Sequence, residues 1–175
     1  MDGWHETAIR VRYAETDKMG IVHHANYLIW FEAARSELCR SHGFSYREME
    51  ADGLLMLVAE SYLRYKSPAF YEDELVIRTK VAEVRSRSIR FVYEVYRPDD
   101  DILVAEGETM HLMTGIDKKI RLIPEHYKVM LIGDDEQRER AFLRPGEIET
   151  TSYRRALLRP SGAGSAQIRR PAYPA

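Results

Sequence analysis

Hydrophobic spacing changes character twice along the chain. Ile9, Val11 and Tyr13 alternate with Arg10 and Arg12, the period of a strand with one polar face. A loop follows from Ala14 to Ala25. From Tyr27 the spacing is helical. The run Tyr27-Leu28-Ile29-Trp30-Phe31 is apolar on every side, and Ala33, Ala34, Leu38 and Cys39 continue one stripe. This predicts a helix over Tyr27–His42, capped by the Asn26 side-chain oxygen and stopped by Gly43. Apolar surface all round the first two turns predicts burial on every side there. A short helix is expected over Ser45–Asp52.

Beyond Leu57 the pattern alternates again. Strands are expected over Val58–Lys66, Leu75–Val84, Ile89–Val95, Ile102–Thr114 and Ile120–Ile123. Turn residues separate them at Tyr71–Glu74, Pro98–Asp101 and Gly115–Lys119. Pro124 suits the first turn of a last helix, from Glu125 to about Leu131. Short turns imply antiparallel neighbours. One antiparallel sheet wrapped around a long central helix accommodates both the one-sided strands and the all-round apolar helix. The fold class is therefore α+β.

Composition narrows the setting. With 175 residues, the chain can bury one sizeable core but not comfortably two. A hydrophobic fraction of 45% and a charged fraction of 31% are ordinary for a globular domain. No run reaches the roughly 18 apolar residues of a membrane span, and the N-terminal residues carry no signal-like apolar core. Cys39 is the single cysteine, which fits a reducing cytoplasm. The net charge of −2 points to no nucleic-acid partner. Five arginines and no acid occupy residues 151–175, among prolines, glycines and small residues. The expected division is a domain over 1–135 and a C-terminal extension over 136–175, basic at its end and expected to be mobile.

The candidate chemistry lies before the long helix. A helix start offers unpaired N–H groups and the positive end of the dipole, which suit a developing oxyanion. Gly20 permits a tight turn or a close approach to a ligand. Asp17 lies upstream on the same loop, where a carboxylate could attack a carbonyl or take a proton from water. Asp17 could equally serve a turn by accepting backbone hydrogen bonds. His23 and His24 are adjacent, but His5, His42, His111 and His126 are scattered without ligand spacing, so no metal site is expected.

The stretch Tyr13-x-Glu15-Thr16-Asp17-x-x-Gly20-Ile21-Val22-x-His24-x-Asn26-Tyr27 resembles the signature of hotdog-fold acyl-CoA thioesterases. It is most similar to the 4-hydroxybenzoyl-CoA thioesterase family, in its branch associated with the bacterial Tol-Pal system. Tyr65-Lys66-Ser67-Pro68-Ala69-x-Tyr71-x-Asp73-x-Leu75 adds a second similar segment, and the likeness covers roughly residues 6–132. The resemblance implies a hotdog fold and hydrolysis of an acyl-CoA thioester to a free acid and CoA. No cofactor is implied, since coenzyme A is part of the substrate.

By the resemblance, Asp17 is the catalytic carboxylate, as nucleophile or general base. The backbone N–H of His24 polarises the thioester carbonyl, and its side chain orients water or substrate. Tyr13 and Gly20 border the same pocket, as do Val22, His23 and Asn26. Glu60 is a candidate for a neighbouring subunit's pocket. Lys66, Arg85, Arg87 and Arg90 are candidates for the CoA phosphates. Glu32 and Glu37 stand where another hotdog branch keeps its acid. The resemblance also implies a homodimer, or a tetramer of such dimers, with the site at the subunit interface. An acyl-ACP thioesterase, a dehydratase and a non-catalytic acyl-carrier or assembly protein are the alternatives on this fold.

Overall fold

The structure is a computed structural model and describes residues 3–132. The expected extension over 136–175 lies outside the described residues. Strand β1 (His5–Arg10) leads through a 3-10 turn at Tyr13–Glu15 and a loop to helix α1 (Asn26–Ser41). Helix α2 (Tyr46–Ala51) is followed by strands β2 (Leu54–Tyr65), β3 (Glu74–Val84), β4 (Ser88–Arg97) and β5 (Ile102–Gly115), then helix α3 (Glu125–Ile132). The sheet order is β1-β3-β4-β5-β2, with every neighbouring pair antiparallel.

Most elements fall where the hydrophobic pattern puts them. The first strand, expected through Ile9, Val11 and Tyr13, instead spans His5–Arg10, because the chain turns at Tyr13–Glu15. Three further expectations need correction. Residues 120–123 form no strand: Ile120 makes one isolated bridge to Thr114, and the Arg121 N–H donates to the Met113 carbonyl. Asn26 does not cap α1, because it is already the first helical residue and Ala25 occupies the cap. The first turns of α1 are not buried all round. Tyr27, Trp30 and Phe31 are buried, while Leu28 is 41% and Ile29 57% exposed.

The core forms where α1 lies against the inner sheet face. Leu75 and Ile77 of β3 and Ile89, Phe91, Tyr93 and Val95 of β4 are all buried at alternating positions. Each such side chain contributes about 1.5–3 kcal/mol when fully removed from water. Phe31 of α1 stacks flat on Tyr93, with ring centroids 4.1 Å apart and planes 4° apart. Gly107 of β5 makes that approach possible: a Cβ there would sit 2.7 Å from the Phe31 ring and 2.6 Å from the Tyr62 carbonyl oxygen. Cys39 lies in the same core, and burial pushes its thiol up to about 12. Helix α2 begins in a capping box, the Ser45 hydroxyl accepting from the Glu48 N–H at 3.2 Å and Glu48 accepting from the Ser45 N–H at 2.7 Å.

Candidate active site at the start of the central helix

The loop between β1 and α1 is a small ribbon folded on itself. The Asp17 N–H donates to the Ile21 carbonyl at 2.9 Å, Thr16 bridges Val22, and the His23 N–H donates to the Glu15 carbonyl at 2.8 Å. At its tip the Gly20 N–H donates to the Asp17 carbonyl at 2.9 Å, and Gly20 takes φ +76. A side chain with a Cβ would be strained there, so glycine is required by the turn. The ribbon is tied to the β2–β3 connection by the Val22 N–H, which donates to the Ala69 carbonyl at 2.8 Å.

Asp17 stands at the tip and is half-buried. Its Oδ1 accepts the Met19 N–H at 2.7 Å, so one carboxylate oxygen does serve the turn. His24 stands at the ribbon's root, just before the helix cap. Its carbonyl accepts the Tyr65 hydroxyl at 3.1 Å, and among the described residues no acceptor pairs with its N–H. The His23 and His24 rings are exposed and lie 4.1 Å apart. His23 Nδ1 accepts the Ala25 N–H at 3.3 Å, which satisfies one orphan donor of the helix start. Tyr27 is buried beside Tyr65, with centroids 5.2 Å apart. Burial pushes the Tyr27 hydroxyl up to about 12, with Tyr65 and Asp73 adding to the effect.

Glu15 holds this arrangement together, a role that its place in the signature alone does not reveal. It is 3% exposed. Its carboxylate accepts the Arg12 N–H and an Arg12 guanidinium N–H, each at 2.8 Å, and Trp30 Nε1–H of α1 at 3.0 Å. Burial alone would raise its pKa. The hydrogen bonds from Arg12 and Trp30 outweigh that, and the carboxyl lies below its usual range. Its backbone carbonyl accepts both the His23 N–H and the Asn26 side-chain Nδ2–H, the latter at 2.8 Å. A single residue thus pins the ribbon to the first turns of α1. The partners lie up to 15 positions away, beyond the reach of local spacing rules.

Other sequence candidates are spread more widely. Val22 is buried, and Tyr13 is 78% exposed, packing edge-on against Tyr71. Lys66 follows Tyr65 near the loop, with its Nζ 2.8 Å from Glu106. Glu60 is exposed at the β2 bulge opposite Met110. Arg85 and Arg87 lie in the turn after β3. The loop packs by the other end of that strand, where Val11 N–H donates to the Asp73 carbonyl. At roughly 3.3 Å per residue, the length of β3 puts about 35 Å between the two ends. A single chain therefore does not bring these arginines to Asp17. Arg85 pairs with Glu83 at 2.8 Å and Arg90 with Glu108 at 2.5 Å. Glu37 pairs with Arg40 on the exposed side of α1, and Glu32 borders a cavity away from the loop. Among the described residues, no group of three or more His, Cys, Asp or Glu could hold a metal ion.

Residues 11–140 match the thioesterase-like superfamily. A crystal structure of a hypothetical protein from Thermus thermophilus is 40% identical, covering 72% of this chain and 95% of that one, with a TM-score of 0.68. The DHNA-CoA thioesterase of Staphylococcus aureus is 33% identical over 69% of this chain and 79% of its own, with a TM-score of 0.64. The acyl-CoA thioester hydrolase YbgC of Escherichia coli is 29% identical over 67% of this chain and 87% of its own. The chain belongs to the thioesterase-like superfamily, has its hotdog fold, and is by class a thioester hydrolase.

Proposed function

We propose that the protein is an acyl-CoA thioesterase that uses Asp17 and the His24 N–H. The observation that carries this reading is the ribbon itself. It puts a half-buried carboxylate and an unpaired N–H on one short element, rooted at the positive end of α1. A thioester carbonyl oxygen accepting from the His24 N–H would be polarised as the tetrahedral centre forms.

In the general-base route, Asp17 takes a proton from water as the oxygen bonds to the carbonyl carbon. The C–S bond then breaks, and the thiolate receives the proton as CoA–SH. In the nucleophilic route, the carboxylate itself bonds to the carbonyl carbon and expels the thiolate. Water then hydrolyses the resulting anhydride. Coenzyme A enters only as part of the substrate. Tyr13, Gly20, Val22, His23 and Asn26 shape the loop around this centre.

Within the superfamily we assign the chain to the 4-hydroxybenzoyl-CoA thioesterases, in the Tol-Pal-associated branch. The segment Thr16-Asp17-x-x-Gly20-Ile21-Val22-x-His24 supports that assignment. We further infer a cytoplasmic homodimer formed through β2, whose outer edge has no partner strand among the described residues. A two-fold partner would supply Glu60, Lys66 and the arginines at 85, 87 and 90 from its own sheet and turns.

The test is thiol release from a panel of short, long and aromatic acyl-CoAs. Asp17→Asn is expected to lower kcat by about a hundredfold or more while circular dichroism stays unchanged. Wild-type turnover in that variant would remove Asp17 from the chemistry. Release from acyl-ACP and not from acyl-CoA would transfer the reading to the other carrier.

A further inference from the structure

The core between α1, α2 and the sheet contains a polar network that the reaction above does not use. Arg35 of α1 is only 8% exposed. Its Nε–H donates to the Tyr46 hydroxyl at 2.9 Å, and the nearby Tyr93 hydroxyl also favours its charged form. Tyr93 Oη lies 2.8 Å from Thr109 Oγ1, which lies 2.8 Å from His111 Nε2. His111 is fully buried, and its Nδ1 has no partner among the described residues. Every group in this chain besides Arg35 is neutral. No Asp or Glu oxygen comes within 4.0 Å of Arg35 among the described residues. Buried charges ordinarily have a counter-ion. This one has none within 4.0 Å among the described residues.

Nor is Arg35 sealed in. Arg35, Tyr46, Met49, Leu54 and Met56 line a cavity of about 240 Å³. That is room for several carbon and oxygen atoms, since a water in the liquid occupies about 30 Å³. Glu32 and Glu50 also line it, both exposed. Screened by water, these two oppose an anion less than the desolvated arginine attracts it.

A track joins this cavity to the reacting loop. Ala25, Leu28, Ile29 and Glu32 are exposed and share one face of α1 with Arg35 at helical spacing. Leu28 and Ile29 give the track an apolar middle, and Glu32 belongs to both the track and the cavity lining. Arg35 is nine residues beyond Asn26, about 14 Å along the axis. An acyl chain whose thioester sits by His24 could lie on that face and end at Arg35.

We propose that the Arg35 cavity receives a carboxylate at the far end of the acyl group, so that the substrate class is ω-carboxyacyl-CoA. This rests on the thioester-hydrolase reading of the loop. The guanidinium supplies a planar pair of donors matched to a carboxylate, and Met49, Leu54 and Met56 hold the methylenes before it.

The experiment has two arms. In the first, thiol release is compared for adipoyl-, suberoyl- and dodecanedioyl-CoA against hexanoyl-, octanoyl- and dodecanoyl-CoA. At one matched length the diacid thioester is expected to have a kcat/KM about ten- to a hundredfold higher, the worth of a hydrogen-bonded charge pair. That ratio is expected to fall to about one in Arg35→Met and in Met56→Trp, which fills the cavity while keeping the arginine in the chain. In the second arm, the Arg35 Nε–H resonance of the whole chain is followed while free suberate or the uncharged octanamide is added. Suberate is expected to shift it and octanamide is not.

A wild-type enzyme that treats both series alike, with no suberate shift, overturns the proposal and leaves the hydrolase standing. No thiol from any thioester sinks the hydrolase reading, and the resonance arm then decides whether Arg35 holds a carboxylate. If Arg35→Met does not fold, the Met56→Trp ratio and the wild-type resonance decide between the outcomes.

Discussion

Strands β4 and β2 are of similar length and sit in one sheet, yet their surfaces differ. In β4, buried Ile89, Phe91, Tyr93 and Val95 alternate with half-buried Arg90, Val92, Glu94 and Tyr96. Both edges of β4 are paired, to β3 and to β5. In β2, six consecutive residues from Leu57 to Tyr62 are exposed, Leu57 at 54% and Val58 at 44%. Only one edge of β2 is paired. Strand β4 is thus complete within one chain, and β2 is not. An edge strand with exposed apolar residues and free backbone groups is a template for a second strand. The exposed Leu28 and Ile29 on α1 likewise lack cover from the described residues of one chain, as a substrate track requires.

The largest expected effect is on the β4 side. Phe31→Ala removes the ring stacked on Tyr93 and is expected to cost about 3–5 kcal/mol in denaturant unfolding. A loss below about 1 kcal/mol would mean the stack is not central to the core.

Next in size is a pH effect from His111, which pairs with Ile89 of β4 in register. Burial, aided by the charge of Arg35, lowers its pKa from 6.5 to about 3. The folded ring thus stays neutral where the unfolded ring is protonated. Between about 6.5 and about 3 the unfolded chain binds more protons, so stability rises with pH and is lost on acidification. The loss at pH 4.5 is about 2–3 kcal/mol relative to pH 7, at about 1.36 kcal/mol per unit. Unfolding curves across that range check it, and His111→Asn is expected to flatten the dependence.

On the β2 side the effect is on association. Leu57→Lys with Val58→Lys places like charges on the open edge, and is expected to weaken the proposed dimer about a hundredfold or more without unfolding the subunit. Light scattering at graded concentrations reads this, and an unchanged dimer would move the interface elsewhere. The smallest effect is expected for Glu108→Gln, which breaks the partly exposed pair with Arg90 between β4 and β5. A loss under about 1 kcal/mol in the same unfolding measurement is expected.

Legibility in the sequence follows the same division. Strand β4 is readable because its neighbours on both edges and its core face impose strict alternation. Helix α1 is readable from its stripe, with ends within one residue of those observed. The exposure of Leu28 and Ile29 is not readable, because an apolar side chain awaiting a partner looks like one already buried. Residues 120–123 alternate like a strand but run past the end of the sheet's pairing. The Asp17 turn and the strained Gly20 are legible in the spacing of the loop. Glu15 is not, since its contacts with Trp30 and Asn26 exist only after the loop folds onto the helix. Arg35 leaves one local trace, a cation between Ala34 and Leu38 in an otherwise apolar stripe. Nothing local reveals that it would lack a carboxylate.

The position of Cys39 has a practical corollary. It is the chain's single sulfhydryl, shut away behind α1 and held in its protonated, unreactive form. A disulfide reagent added to the folded enzyme therefore has no protein thiol to exchange with. Any colour that develops belongs to liberated coenzyme A, so turnover can be followed continuously in wild type and variants alike, and a rising blank would itself signal unfolding.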